Sequence, residues 1–360
     1  KHLIEPLNGD YKSFDKHPIG TGAFRFDQQS DEGILLKANP NYFQGRPYLN
    51  QIEVKVFPTQ RENLTHLISG QVDMLVLLDL KDLRNISNIP DIKIYSHLNP
   101  SLYSIFINQE NKNLKSPILR KVLAQSLQLK EMLKGDQSYL TEQASGPVYS
   151  YESMVKENNN KDLSSQKLME LLESEGWHYF PKGNILKKNG EVFHVSILGI
   201  QGEELSEQIL NDIQQQWLNF GMKISLQLLP TEEYVKKLYQ GHRFDLSLVR
   251  YTDYPYTAAS YGFWHSSQIG PGINFSSYKN AEADSALTRL RMSQKEEDRK
   301  KAYEDLKNIF YEDPPAIFLF WKKIPVAIHR RFQNIPEKYM GSFRDFRKVW
   351  VKPEEQKYKD

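Results

Sequence analysis

Hydrophobic and polar residues alternate along several short stretches of the chain, and these stretches predict β-strands. In "RFDLSLV", the apolar residues Phe244, Leu246 and Leu248 alternate with polar ones. A period of two places the apolar side chains on one face of a strand. Further strands are predicted in "GAFRF", "GILLKA", "NQIEVKVFP", "VDMLVLL", "SLYSIFIN", "EVFHVSILGI" and "MKISLQLLP".

A longer apolar period between these strands predicts amphipathic helices. Ile209, Ile213 and Trp217 recur on one face of "LSEQILNDIQQQWLNFG". Helices are also predicted in "TQRENLTHLISG", in "SPILRKVLAQSLQLKEML" with Pro117 at its start, in "SSQKLMELLESEGW", and in "TEEYVKKLYQG" with Thr231 as its cap. Strands and helices that alternate in this way are typical of an α/β sheet with helices on its faces.

The pattern changes near the end of the chain. "QKEEDRKKAYEDLKNIFYED" predicts a long helix that ends at Pro314 and Pro315, since proline cannot continue a helix. The apolar stretch "AIFLFWKKIPVAIH" follows, and we expect it to be a strand that crosses from the α/β region into other structure. Trp217 and Trp321 are predicted to be core residues.

Composition narrows the classes of protein. The chain has 360 residues, which is enough for one large or two medium domains. The formal net charge is +2, from 47 basic and 45 acidic residues, so we expect no nucleic-acid partner for this segment. Because the chain has no cysteine, thiol catalysis, disulfides and Cys-bound zinc are excluded. The start "KHLIEPLNGD" has no apolar signal-peptide region, so we expect either a cytosolic protein or one whose export signal lies outside this sequence.

Motifs that carry enzyme chemistry are missing from the sequence. Neither the nucleophile elbow G-x-S-x-G nor the phosphate-binding G-x-x-x-x-G-K-[ST] occurs. The "GTG" at 20–22 precedes a predicted strand rather than a helix, which argues against a dinucleotide site. The nine histidines include no H-x-x-x-H pair. We therefore predict a protein that is not an enzyme, with no catalytic residue, no cofactor and no metal site.

One acidic residue lies among many aromatic rings where the strand of "RFDLSLV" ends. The stretch "RYTDYPYTAASYGFW" places Asp253 between tyrosines and close to Arg250 and Trp264. One interpretation is that this carboxylate caps a helix that starts near Tyr256. The other is that it binds a cationic ligand group between rings, which supply apolar and cation–π contacts. The residues alone leave both interpretations open, with the helix cap favoured.

An ordered series of motifs resembles the family 5 solute-binding proteins of bacterial ABC importers. "HPIGTGAFRF" and "LLKANPNYFQGRPYLNQIEVKVFP" are similar to the family's P-x-G-T-G-P-[FY] and N-x-x-Y-[FW]-x-G-x-P-x-[LI]-[DN]-x-I. "HLISGQVDML", "SIFINQENKNLKSPILRKVLAQSL" and the stretch from "EADSALTRLRM" to "PPAIFLFW" follow in the family's order. Ala23 stands where the family usually has proline. The matching residues of the first two motifs are Pro18, Gly20, Thr21, Gly22, Phe24, Asn39, Tyr42, Gly45, Pro47, Leu49 and Ile52.

The resemblance implies a fold and a division of the chain. The fold class is α/β, a two-lobed periplasmic-binding-protein fold of the class II type, whose lobes are joined by crossing strands near 97–103 and 315–325. Residues 1–100 would form part of lobe I, residues 101–313 lobe II, and residues 314–360 the return strand and the C-terminal part of lobe I. Because the family has a substantial segment before the P-x-G-T-G motif, we expect this sequence to be a fragment with an incomplete first lobe.

The resemblance also implies a function and a binding site. The family captures peptides between its lobes for ABC permeases, and an acid at the position of Asp253 holds the α-ammonium of the peptide. The family often has a second acid in D-Y-x-[DE]-P, which "DYPY" lacks. We expect a peptide or similar small ligand, a monomer when full length, and a periplasmic or membrane-anchored extracytoplasmic location. The complete set of candidate ligand-binding residues is Asp253, Tyr251, Tyr254, Arg250, Trp264, Tyr261, Asn274 and Gly22.

Two other functions are compatible with the same resemblance. Similar domains follow DNA-binding helix-turn-helix segments in some transcription regulators, which would make this chain a cytoplasmic ligand sensor. Other members of the family bind nickel or metal chelates. The sequence that precedes Lys1 would decide between importer and regulator, through a signal peptide or lipobox in one case and a helix-turn-helix in the other.

Overall fold

The computed structural model describes residues 17–76, 80–148, 163–240, 242–252, 258–336 and 343–357. Its strands are β1 Phe24–Ser30, β2 Gly33–Ala38, β3 Gln51–Lys55, β4 Met74–Val76, β5 Ile92–Ile107, β6 Thr141–Gln143, β7 His178–Phe180, β8 Ile185–Lys188, β9 Glu191–Val192, β10 His194–Ile200, β11 Lys223–Leu229, β12 Leu246–Thr252, β13 Ala316–His329, β14 Phe332–Gln333 and β15 Trp350–Val351. Its α-helices are α1 Gln60–Ile68, α2 Leu80–Ile86, α3 Pro117–Gln125, α4 Leu129–Met132, α5 Ser165–Ser174, α6 Glu204–Leu218, α7 Thr231–Tyr239, α8 Ala258–Trp264, α9 Ala281–Met292 and α10 Glu296–Glu312. None of the described helices is long and apolar enough to cross a membrane.

The chain divides into two units. Unit 1 comprises Lys1–Leu98 and Lys323–Asp360, and unit 2 comprises Asn99–Lys322. Two long strands, β5 and β13, each begin in one unit and end in the other. The chain therefore passes between the units along continuous strands.

Unit 1 contains an antiparallel sheet of order β1-β2-β3. In the same unit, β4 pairs antiparallel with the second half of β13. α1 begins where the Thr59 hydroxyl accepts a hydrogen bond from the Glu62 amide, and ends before Gly70, which has φ +71°. Glycine tolerates this left-handed conformation because it has no Cβ. The core of unit 1 is small and centres on Val326, Ile328, Phe346 and Val349.

Unit 2 is an α/β structure built on a sheet of order β11-β10-β12-β5-β13. β10 runs parallel to both β11 and β12, whereas β5 is antiparallel to β12. α6 covers one face with Ile209, Ile213 and Trp217, all of which are fully buried as the 3.6-residue period predicted. Trp321 is also fully buried, which confirms its prediction as a core residue.

Tertiary contacts divide one of the helices predicted in unit 2. The helix expected over "SPILRKVLAQSLQLKEML" is two helices, because the chain turns between Gln125 and Leu129. The Leu123 carbonyl accepts a hydrogen bond from the Trp217 indole at 3.1 Å, and the Gln128 amide donates to the Gln216 side chain at 2.7 Å. Partners on α6 thus take backbone groups that a continuous helix would have paired internally.

The other two differences are local. Thr231 does not cap α7, because it is the first helical residue; Pro230 occupies the cap position and makes no capping hydrogen bond. The strand expected over "EVFHVSILGI" divides at Phe193 into β9 and β10, which belong to different sheets. Phe193 is fully buried, with its ring 5.2 Å from that of Trp177. Burial of this ring decides where one sheet ends and the next begins.

Candidate functional site

The carboxyl ends of the parallel strands β10 and β12 lie at one edge of the sheet of unit 2. The register pairs Ile197 with Leu246 and Leu198 with Ser247, so β10 ends at Ile200 about where β12 reaches Val249. Ligands of α/β proteins bind outside the carboxyl ends of the strands, since the loops and helix starts there supply polar groups. A ligand-binding site is therefore expected at this edge of the sheet.

A cavity of about 220 Å³ lies at this edge. Its walls include Ile200, Glu203 at the start of α6, and Arg250 and Tyr251 near the end of β12. Tyr103 of β5 completes the polar part of the wall, and side chains of α7 with Phe263 and Phe275 supply apolar surface. The cavity combines a few polar groups with apolar walls, which is typical of small-ligand sites.

Arg250 is the cation of this cavity. Its register partner across the sheet is Tyr103, whose hydroxyl lies 3.5 Å from the Arg250 Nη1. The same Nη1 lies 3.7 Å from the Glu203 Oε1, and about half of the Arg250 side chain is exposed. Burial raises the pKa of Tyr103, and the neighbouring Arg250 partly opposes that rise. The Tyr103 hydroxyl therefore stays protonated and can donate a hydrogen bond.

Glu203 is positioned by the start of α6. It occupies the N-cap position, yet its carboxylate makes no capping bond to the backbone. Instead, its Oε2 accepts a hydrogen bond from the Ser206 hydroxyl at 2.8 Å while Oε1 faces Arg250. The carboxylate is thus held at the mouth of the cavity by one short hydrogen bond and one long ion pair.

Lys322 adds a second cation to the same group. It is the last residue of unit 2 on β13 and is half-buried. Burial lowers the pKa of Lys322, Arg250 lowers it further, and Glu203 opposes both effects. Over the residues that the structure describes, the Lys322 ammonium makes no hydrogen bond or ion pair within the usual distances. Lys322 is therefore within electrostatic range of both Arg250 and Glu203.

Tyr234 of α7 fixes the wall of the cavity on the side of β12. Its hydroxyl donates to the Leu248 carbonyl at 2.7 Å and lies 3.1 Å from the Ser247 hydroxyl. Burial raises the pKa of Tyr234 to about 12. The neutral hydroxyl is thus part of the packing between α7 and β12.

This pKa gives a first testable prediction. Because the pKa of Tyr234 is higher in the folded protein than the ordinary tyrosine value of 10.0, the contribution of its neutral hydroxyl to stability is complete below pH 10 and is lost as the pH rises to about 12. An ultraviolet difference titration of the wild type against Tyr234→Phe should show one tyrosinate with a midpoint near that value. A midpoint near the ordinary value for tyrosine would mean that the hydroxyl is in water.

The structure places several candidate residues in the core of unit 2. Trp264 is fully buried and Tyr251 is 7% exposed, and both pack around Phe106 with ring centroids 4.7 and 6.0 Å away. Asn274 is also fully buried: its amide donates to the His265 and Tyr278 carbonyls. Trp264 and Asn274 therefore have no surface for a ligand, while Tyr251 contributes to the cavity wall.

The remaining candidate residues lie elsewhere. Tyr261 stacks on His265 at 4.3 Å and carries the Arg291 guanidinium over its ring at 4.5 Å, away from the cavity lining. Gly22 belongs to unit 1, where its carbonyl accepts a hydrogen bond from the Asn39 side chain. Asp253 and Tyr254 lie outside the described residues; Asp253 directly follows the last residue of β12.

Three residues of the group were not singled out from the sequence: Tyr103, Glu203 and Lys322. Glu203 carried a usable signal, because it stands between a predicted strand and a predicted helix, where the loop faces the carboxyl edge. Tyr103 and Lys322 lie inside predicted strands, where a polar residue usually marks a solvent-facing position. Only the order of the strands brings them beside Arg250.

A cavity of about 390 Å³ lies between α5 and the end of α6, near Ser126, Gln128 and Asn219. The described residues that line it are uncharged, so they offer only neutral polar and apolar contacts. Within the described part of the chain, no group of three or more histidine, aspartate or glutamate residues is arranged to hold a metal ion.

Comparison with known proteins places the chain in a family. Residues 2–271 match the family described as "Bacterial extracellular solute-binding proteins, family 5 Middle". The chain is similar to the oligopeptide-binding protein AppA of Bacillus subtilis, with 26% identity over 350 residues that cover 93% of this chain and 62% of AppA. The chain thus spans about three fifths of the length of this curated relative.

Solved structures of the family share the fold. The structure of AppA from Bacillus subtilis in complex with a nonapeptide superposes with a TM-score of 0.62 and 24% identity. The match covers 97% of this chain and 71% of the AppA chain. A nickel ABC transporter protein of Bacillus halodurans matches 92% of this chain and 68% of its own, with a TM-score of 0.78 and 18% identity. The α/β architecture is therefore the two-lobed fold of periplasmic binding proteins. Proteins of this family bind substrates for transporters and are not enzymes, and this chain belongs to family 5 of the bacterial extracellular solute-binding proteins.

Proposed function

We propose that this protein captures a peptide, or a small ligand with the charged ends of a peptide, and presents it to the permease of an ABC importer. The observation that carries the proposal is the pair of Arg250 and Glu203 in the cavity wall at the carboxyl edge of β10 and β12. Charged groups of both signs at one cavity suit a zwitterionic ligand. The names of similar proteins, among them AppA, support a peptide ligand.

Asp253 is the proposed anchor for the α-ammonium of the ligand. In the sequence it directly follows the last residue of β12 and is three residues from Arg250. An ammonium offers three donors, which a carboxylate and neighbouring oxygens satisfy. Closing a site around the pair removes water and strengthens the attraction. The ligand would be bound without chemical change, outside the cytoplasm, by a monomer.

Binding and turnover can be measured in one experiment. Incubation with a mixture of short unmodified peptides should raise the unfolding temperature, since a ligand at a hundred times its Kd stabilises a protein by about 2.7 kcal/mol. Mass spectrometry of the same peptides should find them unchanged. An absence of stabilisation by any peptide would contradict the proposed ligand class, and protein-dependent cleavage at enzyme-like rates would contradict the non-enzymatic role.

A further inference from the structure

The small antiparallel sheet of β7, β8 and β9 has one face toward the core of unit 2 and one face toward solvent. Tyr179 and Leu186 are register partners, and both pack against the core on the inner face. Because side chains alternate along a strand, the neighbouring positions point outward. The outward positions are occupied by His178, Phe180, Ile185, Lys187 and Val192. A solvated sheet face is normally polar, whereas this one carries an aromatic and two branched apolar side chains.

The sheet ends in an exposed turn that follows an exposed ring. The side chain of Phe180 is 47% exposed. Residues 181–183 form a single 3-10 turn directly after it, and all three are exposed. Asn184 closes the turn with φ 45°, and its side-chain oxygen accepts a hydrogen bond from the Tyr179 hydroxyl at 3.0 Å. These contacts hold the turn in one conformation beside the ring.

Backbone contacts fix this sheet to the rest of unit 2. The Leu186 amide donates to the Gly221 carbonyl at 2.8 Å, and the Lys223 amide donates to the Phe193 carbonyl at 3.2 Å. Gly221 permits the close approach, because a Cβ there would lie 2.9 Å from the Ile185 carbonyl carbon. The outward face is therefore a rigid surface of unit 2, and a partner that binds it meets side chains already in place.

The charge of this sheet is positive. Its lysines are Lys182, Lys187 and Lys188. Within residues 178–192 the one acid is Glu191, and it pairs with Lys112 of a neighbouring loop at 2.8 Å. None of the three lysines forms an ion pair with a residue that the structure describes. The Lys187 ammonium lies 5.4 Å from the centre of the Phe180 ring. Unpaired positive charge and an exposed ring thus occur side by side.

We infer that the sheet of β7, β8 and β9 binds the surface of an anionic lipid bilayer through Phe180, Lys182 and Lys187. An exposed ring enters the boundary between headgroups and acyl chains, while lysine stems extend so that their ammonium groups reach the lipid phosphates. Proteins of this family are extracellular, so a membrane surface is available to them. The inference goes beyond the proposed function and does not depend on the class of ligand.

The size of the surface favours a bilayer over a protein partner. A stable protein interface buries roughly 800 Å² on each side. One ring, one turn and a few side chains of a small sheet offer much less than that area. A bilayer needs no matching shape, and attraction to anionic lipid together with a few inserted apolar side chains is sufficient for reversible binding.

Sedimentation with lipid vesicles tests the inference on the 360-residue chain. The partition coefficient should be about tenfold or more higher for vesicles of phosphatidylcholine with phosphatidylglycerol than for phosphatidylcholine alone, because each lysine near an anionic surface contributes a gain of about fivefold. The gain should disappear as salt is raised from about 0.1 to 1 M, since the screening length falls from about 10 to 3 Å. Equal partitioning into both kinds of vesicle would overturn the inference.

Phe180→Ser/Lys182→Gln should lower the partition coefficient on the anionic vesicles by about tenfold, through loss of one charge and one inserted ring. Met292→Ser/Lys295→Gln is the matched control. Met292 is 67% exposed and Lys295 is exposed, so the control also removes one exposed apolar side chain and one positive charge. It should partition as the wild type does. Equal losses in the two double variants would show that binding is not located at this sheet and would overturn the inference.

Phe180→Trp measures insertion while keeping a ring and all charges. Lipids brominated near the headgroups quench an inserted indole, so this variant should show more quenching on anionic vesicles than the wild type does. Met292→Trp places an indole at another exposed position and should show no such gain. No additional quenching in Phe180→Trp would overturn the inference. Binding to soluble polyglutamate as tight as that to anionic vesicles would also overturn it, and would assign the surface to an acidic protein.

Discussion

Asp253→Asn is expected to weaken binding of a peptide with a free amino terminus by about a hundredfold. The substitution keeps the shape of the side chain and removes its charge. Leaving an ammonium without its carboxylate in a closed site costs a few kcal/mol, and each 1.4 kcal/mol corresponds to about a factor of ten in Kd. Calorimetric titration with a peptide and its N-acetylated form separates this charge effect from other contacts. Acetylation should weaken the wild type strongly and Asp253→Asn little.

The control is Asp298→Asn, which removes an exposed acid in the first turn of α10 and should leave both affinities unchanged. If Asp253 is a helix cap instead, asparagine caps almost equally well, and stability and affinity should both stay at the wild-type values. Equal losses on acetylation in the wild type and in Asp253→Asn would show that Asp253 does not meet the ammonium.

Arg120→Met is expected to lower the free energy of unfolding of unit 2 by about 3–5 kcal/mol. Arg120 is 2% exposed and forms an ion pair with Asp313 at the end of α10. Its guanidinium also donates to the carbonyls of Leu114, Lys115 and Pro314 at 2.7 to 3.0 Å. Without these donors, a carboxylate and three carbonyls lose hydrogen bonds in a place that water reaches poorly, which is why the expected loss is large.

Urea unfolding followed by tryptophan fluorescence measures this loss. Four of the five tryptophans, Trp177, Trp217, Trp264 and Trp321, lie in unit 2, so the signal reports mainly on that unit. Arg289→Met is the control, because its ion pair with Asp305 is exposed and such pairs contribute only about 0–1 kcal/mol. A loss for Arg120→Met as small as that of the control would show that the buried pair is not needed for stability.

The candidate site was predictable only in part. The sequence indicated Arg250 and Asp253, because both stand where an alternating strand gives way to polar residues. It did not indicate which of the surrounding rings line a cavity. Trp264 and Tyr251 occur in the same aromatic stretch, yet one is fully buried in the ring cluster and the other contributes to the cavity wall. The side on which a ring packs depends on contacts from β5, more than a hundred residues away.

Features that arise from near neighbours in the chain could be read from the amino-acid sequence alone. The period of the apolar residues gave α6 and its buried face, and the glycine after α1 marked the end of that helix. The ordered motifs were specific enough to identify the family. These signals act over a few residues, or are shared by all members of a family, so they need no knowledge of long-range contacts.

The places where distant strands meet depend on long-range contacts, which local sequence signals do not contain. Tyr103 of β5 and Glu203 at the start of α6 lie beside Arg250 of β12 because the sheet has the order β11-β10-β12-β5-β13. The same long-range contacts divided one predicted helix at Gln125. Burial and the pairing of backbone groups compete with local preference, and the lower free energy of the packed sheet decides the outcome.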